Sequence, residues 1–297
     1  MRYEEYLEKL KNAMEKKLGC PIEIKEIKKN NGYTYRGLVV HDGASIKPVI
    51  AVQQYYHADM NEKEIIHIVY EIIKMYEHYN VAYDEKDAHC KYEFEHFEEI
   101  RDRIVYKLVS KERNLDLLKE VPYTDLAGTD LVKLYYILWE ATPDGTRMTL
   151  LKNIHLQIWD VCVDQLYKLA EENTPRLLEP HIVTMRQIVE YMCGKNVRYR
   201  EGVDDMLILT NIFRINGAGV ICYDGLLKIL ADMAGGNLII IPSSVHETII
   251  MSEKTWLDEQ ELQEMVYSVN REEVPADEIL SDHPFRYVRE TNRLCMI

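Results

Sequence analysis

Positive charge is what this 297-residue chain has least of: 36 Lys and Arg stand against 50 Asp and Glu, a formal net charge of −14. A surface of that sign repels phosphate backbones and anionic lipid, so no nucleic acid and no membrane is expected as a partner. Long apolar runs are missing as well. Nothing approaches the roughly 18–20 uninterrupted apolar residues of a spanning helix. The longest uncharged run, 233–245, is broken by Gly235, Gly236, Asn237 and Pro242. The first residues are charged from Arg2 onward and hold no apolar core of a secretory signal. No C-x-x-C occurs, and six cysteines (Cys20, Cys90, Cys162, Cys193, Cys222, Cys295) stand singly, which excludes a zinc ribbon, a thioredoxin motif and a disulfide framework. Cys162, Cys193 and Cys222 have apolar neighbours and read as small core residues. A cytoplasmic protein is the expectation.

What remains is an ordinary globular composition, 47% apolar and 29% charged. Its length suits one large domain or two of common size. Tyr3, Tyr6, Leu7, Leu10, Ala13, Met14 and Leu18 recur at helical spacing, and Cys20-Pro21 closes that helix. Ile22 and Ile24 alternate with charge, and Asn30-Asn31-Gly32 supplies the residues a tight hairpin wants before a return strand over 33–41. A third strand is expected over 46–52. Asn61 can cap a helix over 62–79 with Ile65, Ile66, Val69, Ile72, Ile73 and Tyr76 inward. The charged stretch 84–102 reads as further helix.

Beyond it, 131–139 is a strand, 142–145 a turn, and 164–172 a helix that Asn173-Thr174-Pro175 closes. Strands are expected over 206–211, 217–223, 237–242 and 248–251, with helices over 225–233 and 256–269. Strand and helix do not alternate strictly, so the pattern favours an α+β fold of antiparallel or mixed sheets with flanking helices over a doubly wound one. Two subdomains, 1–120 and 121–297, are expected.

The sharpest polar cluster is Ser243, Ser244, His246 and Glu247, after a buried strand. A serine becomes a nucleophile when a base reaches its hydroxyl, and Glu247 or Asp282 would orient His246. Ser244 and His246 share a face of an extended chain but lie too far apart to touch without a bend. No G-x-S-x-G elbow is present. The competing account is a hairpin whose hydroxyls and imidazole satisfy turn backbone. His89, Glu93 and His96 sit at i, i+4 and i+7, so one helical face can present three ligands to a divalent metal, or simply a solvated acidic surface. Gly217-Ala218-Gly219 precedes an expected strand instead of following one, which builds no dinucleotide cradle, and no cofactor is expected. Tyrosine is over-used, 21 against 4 Phe, and concentrates early at Tyr33, Tyr35, Tyr55, Tyr56, Tyr70, Tyr76, Tyr79 and Tyr83. Such rings suit a face for a protein or peptide partner, or a core fringe with wet hydroxyls. The oligomeric state is not legible.

Four stretches carry a resemblance. They are Lys29-Asn30-Asn31-Gly32 with Gly37–Val40, Lys47–Ile50 and Tyr55-Tyr56; His155-Leu156 with Trp159, Leu166-Tyr167, Ala170 and Glu172–Arg176; Leu209-Thr210-Asn211 with Asn216-Gly217-Ala218, Tyr223 and Ile241–Glu247; and Glu264-Met265-Val266 with Asn270 and Ile279–Asp282. On these the chain resembles a family of uncharacterised bacterial proteins, DUF5688. It departs from that pattern at Ala51-Val52-Gln53-Gln54, where a more apolar segment is expected. The resemblance implies no activity, cofactor or catalytic residue. The residues support a binding or protein-interaction module. The alternatives are a hydrolase built on Ser243 or Ser244 with His246, and a metal-dependent activity at His89, Glu93 and His96.

Overall fold

A computed structural model describes residues 1–42, 49–77, 96–142, 145–193, 206–255 and 258–297. The fold is α+β with antiparallel sheets. Its contacts divide the chain into two units, one of Met1–Lys29 with Tyr33–His96 and one of Asn30–Gly32 with Phe97–Ile297. The boundary expected at residue 120 falls between two strands of one sheet in the second unit.

In the first unit, helix α1 (Tyr3–Leu18) ends on Gly19 in the left-handed region, whose N–H donates to Glu15 O at 2.9 Å, one residue before the expected Cys20-Pro21 stop. Strands β1 (Ile22–Lys28), β2 (Thr34–Val40) and β3 (Val49–Ala51) form a meander in that order. Helix α2 covers 62–77. Asn61 Oδ1 accepts from the N–H of Lys63 and Glu64, and Glu64 Oε2 accepts from Asn61 N–H, a reciprocal cap that fixes the helix start. Tyr6, Leu7, Leu10 and Met14 of α1 bury against Leu38, Val40, Ile50 and Val52 of the meander and Ile65, Val69, Ile72 and Tyr76 of α2. Ile66 is the exception to the expected stripe. It is 63% exposed, because it lies one residue off the 65–69–72–76 line.

The second unit opens with α3 (Phe97–Ile100) and β4 (Ile104–Ser110), then α4 (Leu115–Leu118), β5 (Tyr123–Asp125), β6 (Leu131–Thr142) and β7 (Gly145–Leu150). Of the expected 84–102 helix, 84–95 lie outside the described residues, and the rest is the α3 turn continued by a 3-10 turn at Arg101–Arg103. β4 pairs with β6, whose other edge carries β5 and β7. Helices α5 (Asn153–Trp159) and α6 (Val163–Leu177) follow. The expected closure of α6 at Asn173-Thr174-Pro175 does not occur, since the helix runs on with Pro175 inside it. The reason is tertiary. Asn173 Nδ2 donates to Arg101 O and Ile104 O, and Thr174 Oγ1 accepts from Tyr106 N–H at 3.1 Å while donating to Ala170 O. The helix thereby satisfies groups at the edge strand β4 that would otherwise be unpaired, a gain that offsets the donor proline removes.

Then come β8 (Pro180–Thr184), α7 (Met185–Cys193), β9 (Leu207–Asn211), α8 (Leu226–Ala234), β10 (Leu238–Ser244), β11 (Glu247–Ser252), α9 (Glu259–Glu272), β12 (Phe285–Val288) and β13 (Arg293–Met296). The strands form one sheet ordered β13-β12-β10-β11-β9-β8. Helix α9 covers one face of it, with Leu262 and Val266 packed on Ile239, Ile241 and Met251. Its N-cap is Asp258, which accepts from the N–H of Gln260 and Glu261. The expected 217–223 strand is a 3-10 segment, Gly217–Cys222. Asn216 turns into it at φ 54°, and a Cβ on Gly217 would overlap Thr210 Oγ1 and sit 2.5 Å from His246 O. That close approach needs glycine and leaves no room for a ladder.

Candidate functional site

The predicted Ser-His cluster sits on the β10–β11 hairpin. Pro242 falls where the register shifts between Ile241 and Ser244, a bulge at which a missing N–H is harmless. Ser244 faces Glu247 across the ladder, so the turn is only Val245-His246, tighter than the six residues expected from sequence. Ser244 and the Nδ1 side of His246 are turned to the backbone, whereas the Ser243 hydroxyl has no hydrogen-bond partner among the described residues. Ser244 Oγ accepts from the His246 backbone N–H at 3.1 Å. His246 Nδ1 accepts from Asn216 N–H at 3.1 Å, and Nε2 lies 3.8 Å from Glu278 Oε1. His246 O accepts from Thr210 Oγ1, Val245 O from Ala218 N–H, and Val245 N–H donates to Glu278 O.

This geometry decides what the imidazole can do. With Nδ1 occupied as an acceptor, the neutral ring carries its proton on Nε2 and has no free lone pair with which to take a proton from serine. Among the described residues no hydrogen bond joins the ring to Ser243 or Ser244. Asp282 is engaged elsewhere, accepting from Arg113 Nη2 at 2.5 Å and from Asn270 Nδ2 at 3.0 Å. His246→Ala should cost about 1 kcal/mol by leaving Asn216 N–H unpaired. His246→Asn, which keeps an acceptor near the Nδ1 position, should recover most of it. Denaturant midpoints of the three proteins check this, and equal losses in both variants would remove the Asn216 bond as the cause.

Ser281, Asp130 and His283 form a second serine, carboxylate and imidazole group. Ser281 Oγ donates to Asp130 at 2.9 Å and accepts from His283 N–H at 2.9 Å, while the His283 ring meets Gln263. Burial pushes the Asp130 carboxyl up, opposed by the Ser281 hydrogen bond. The serine serves structure, because its hydroxyl is spent on these loop groups. Of the metal candidates, His89 and Glu93 lie outside the described residues, and His96 is exposed just ahead of α3. Cys162 is exposed at the start of α6, not in a core as expected, because its backbone is the N-cap that Gln165 Oε1 accepts from. Cys222 is largely enclosed, and burial pushes its thiol up to about 11, so it stays protonated and unreactive.

Most early tyrosines serve the first unit internally. Tyr6 donates to Val52 O, Tyr56 to Met1 O, and their rings pack together with Tyr3. Tyr76 is buried, Tyr33, Tyr35, Tyr55 and Tyr56 are half-buried, and Tyr79 and Tyr83 lie outside the described residues. Tyr70 is exposed beside Ile66 on α2, with Lys17 over its ring.

The sequence did not single out a cleft of about 760 Å³ in the second unit. Its walls are the β5–β6 turn at Leu126–Gly128, the first turn of α8 and the start of β13. The Tyr223 hydroxyl is withdrawn from it, donating to Leu178 O at 2.5 Å, and Tyr287 donates to Asn292 Oδ1 at 2.6 Å. Asp224, Lys228 and Arg293 border the opening, are exposed, and have no ion pair among the described residues. No local motif announces these residues. They come from positions 126 to 294, on a turn of one sheet, a strand of the other and a helix, and meet only in the folded unit.

The fold and its sites define an antiparallel α+β protein of two units. No helix among the described residues is long and apolar enough to cross a membrane. The model of a family described as "Family of unknown function (DUF5688)" matches residues 3–289, nearly the whole chain, and the protein belongs to that family. No curated protein and no solved structure matches it.

Proposed function

We propose that the protein is a binding module, and that its second unit holds a small polar molecule bearing an anionic group in the cleft between the β5–β6 turn, α8 and β13. The observation that carries this reading is the set of unpaired charges there. In a chain of net charge −14, cations have abundant carboxylates to pair with. Lys228 and Arg293 nonetheless border one concavity without a partner among the described residues, with Asp224 beside them. Two unpaired cations offer charge-assisted hydrogen bonds to a carboxylate or phosphate, and the aspartate adds an acceptor for a donor on the same ligand. The volume suits a metabolite-sized molecule.

Thermal unfolding against a panel of small carboxylates and phosphate monoesters tests the proposal. A ligand at a hundred times its Kd adds about 2.7 kcal/mol, which raises Tm by roughly 5–10 °C in a chain of this size. The Lys228→Glu/Arg293→Glu double variant should keep the unliganded Tm and lose the shift. If both proteins respond alike, or neither responds to any member, the reading fails.

A further inference from the structure

The sheet face under α9 is not fully packed. Beside the buried Ile239, Ile241, Met251, Leu262 and Val266 layer lies a second cavity of about 260 Å³. Three methionines line it, Met206 from the start of β9, Met251 from β11 and Met265 from α9, with Ile249 and Val269 completing the wall. No charged side chain borders it among the described residues. Its polar contributors are Ser243 and Asn270. Asn270 Nδ2 is committed to Ser281 O and Asp282 Oδ1. Ser243 differs from its neighbour Ser244. It lines the cavity, and its hydroxyl has no hydrogen-bond partner among the described residues.

We infer that this cavity is a binding site for a flat, uncharged aromatic molecule with a single hydrogen-bonding group, the group meeting Ser243 Oγ. Each part of that description follows from the lining. Thioethers favour aromatic rings over aliphatic chains and adapt to their outline. The lack of a charged partner makes an ionised ligand costly to bury. One free hydroxyl supports one polar group, and a second would be left unsatisfied. A dry apolar cavity of about 150 Å³ takes benzene, so 260 Å³ has room for a fused bicyclic ring. The site is separate from the charged cleft, with no lining residue in common, so it stands whether or not that cleft binds an anion.

Indole is a suitable probe, and the full-length protein labelled with 13C at its methionine methyls reports the result. Indole should shift the Met206, Met251 and Met265 methyls saturably while Met233 and Met296, exposed elsewhere, stay put. Val269 is 45% exposed at the rim, so Val269→Trp should close the opening without disturbing the core and should abolish the saturable shifts. Ser243→Ala should weaken binding roughly 2- to 12-fold, the range of one hydrogen bond. Shifts that do not saturate, that spread over exposed methionines, or that survive Val269→Trp would overturn the site. An affinity unchanged by Ser243→Ala would overturn the role of the hydroxyl.

Discussion

Glu171→Ala should destabilise the second unit by about 3–5 kcal/mol, the cost of stranding a buried charge. Lys133 enters the core from β6 with only 6% of its side chain exposed, and its Nζ lies 2.5 Å from Glu171 Oε1 on α6. Its other neighbours are the rings of Tyr106 and Tyr167, with Nζ 4.5 and 5.3 Å from their centroids. Ring faces attract a cation but do not replace a carboxylate. Removing Lys133 instead should cost less, since Glu171 is 29% exposed and can rehydrate. The double variant Lys133→Met/Glu171→Leu should fall near the wild type, because an apolar pair of similar volume needs no desolvation. Urea unfolding of the wild type, Lys133→Met, Glu171→Leu and the double variant forms a double-mutant cycle. If the double variant is as unstable as Glu171→Ala, the loss is one of packing and the pair is not the cause. The pair also bears on the cleft. Tyr106 donates to Gly219 O at 3.3 Å, in the 3-10 segment that leads into the cleft wall at Cys222 and Tyr223.

The elements read most clearly from sequence are those whose signals are local. The α1 stripe, the Asn61 cap, the hairpin glycine at 32 and the amphipathic pattern of the last helix depend on residues within one or two turns of each other. Where the reading failed, a distant partner had prevailed. Pro175 lies inside a helix because Asn173 and Thr174 satisfy the edge of β4, some seventy residues earlier. Residues 217–222 form a 3-10 turn because Gly217 packs onto Thr210 and His246. The stretches that carry the family resemblance have a shared physical character. Asn173, Thr174, Thr210, Asn211, Ser244, His246, Asn270 and Ser281 all use side chains to bind backbone groups at loops, edges and turns. Polar residues of that kind resemble catalytic ones in a sequence, since Ser, His and Asp serve both purposes, and only the direction of each hydrogen bond separates them. The charged cleft has the opposite character. Its walls are contributed by four segments with no motif of their own, so nothing short of the fold reveals it.

Gly128→Ala should cost about 2–5 kcal/mol and should impair the cleft as well. The residue lies at φ 81° in the β5–β6 turn. A left-handed conformation costs alanine about 1–2 kcal/mol, and the new methyl would overlap Leu294 O and lie 2.9 Å from Leu294 C. Those are backbone atoms of β13, which pairs with β12 through Leu294 and Tyr287, so they cannot swing aside as a flexible side chain would. Relief of such an overlap costs typically another 1–3 kcal/mol. It must push the turn at 126–128 away from 292–294, which are two walls of the same cleft. Gly225 is the control within the unit. It has a similar φ of 72°, it borders the same cleft, and an added Cβ there meets nothing within 4 Å. Gly225→Ala should therefore show the conformational cost alone, about 1–2 kcal/mol. Denaturant unfolding should rank the two variants in that order, and ligand titration should show the cleft lost only in Gly128→Ala. Equal destabilisation would mean that the Leu294 backbone yields easily, and that the close approach of turn and strand does not hold the cleft in shape.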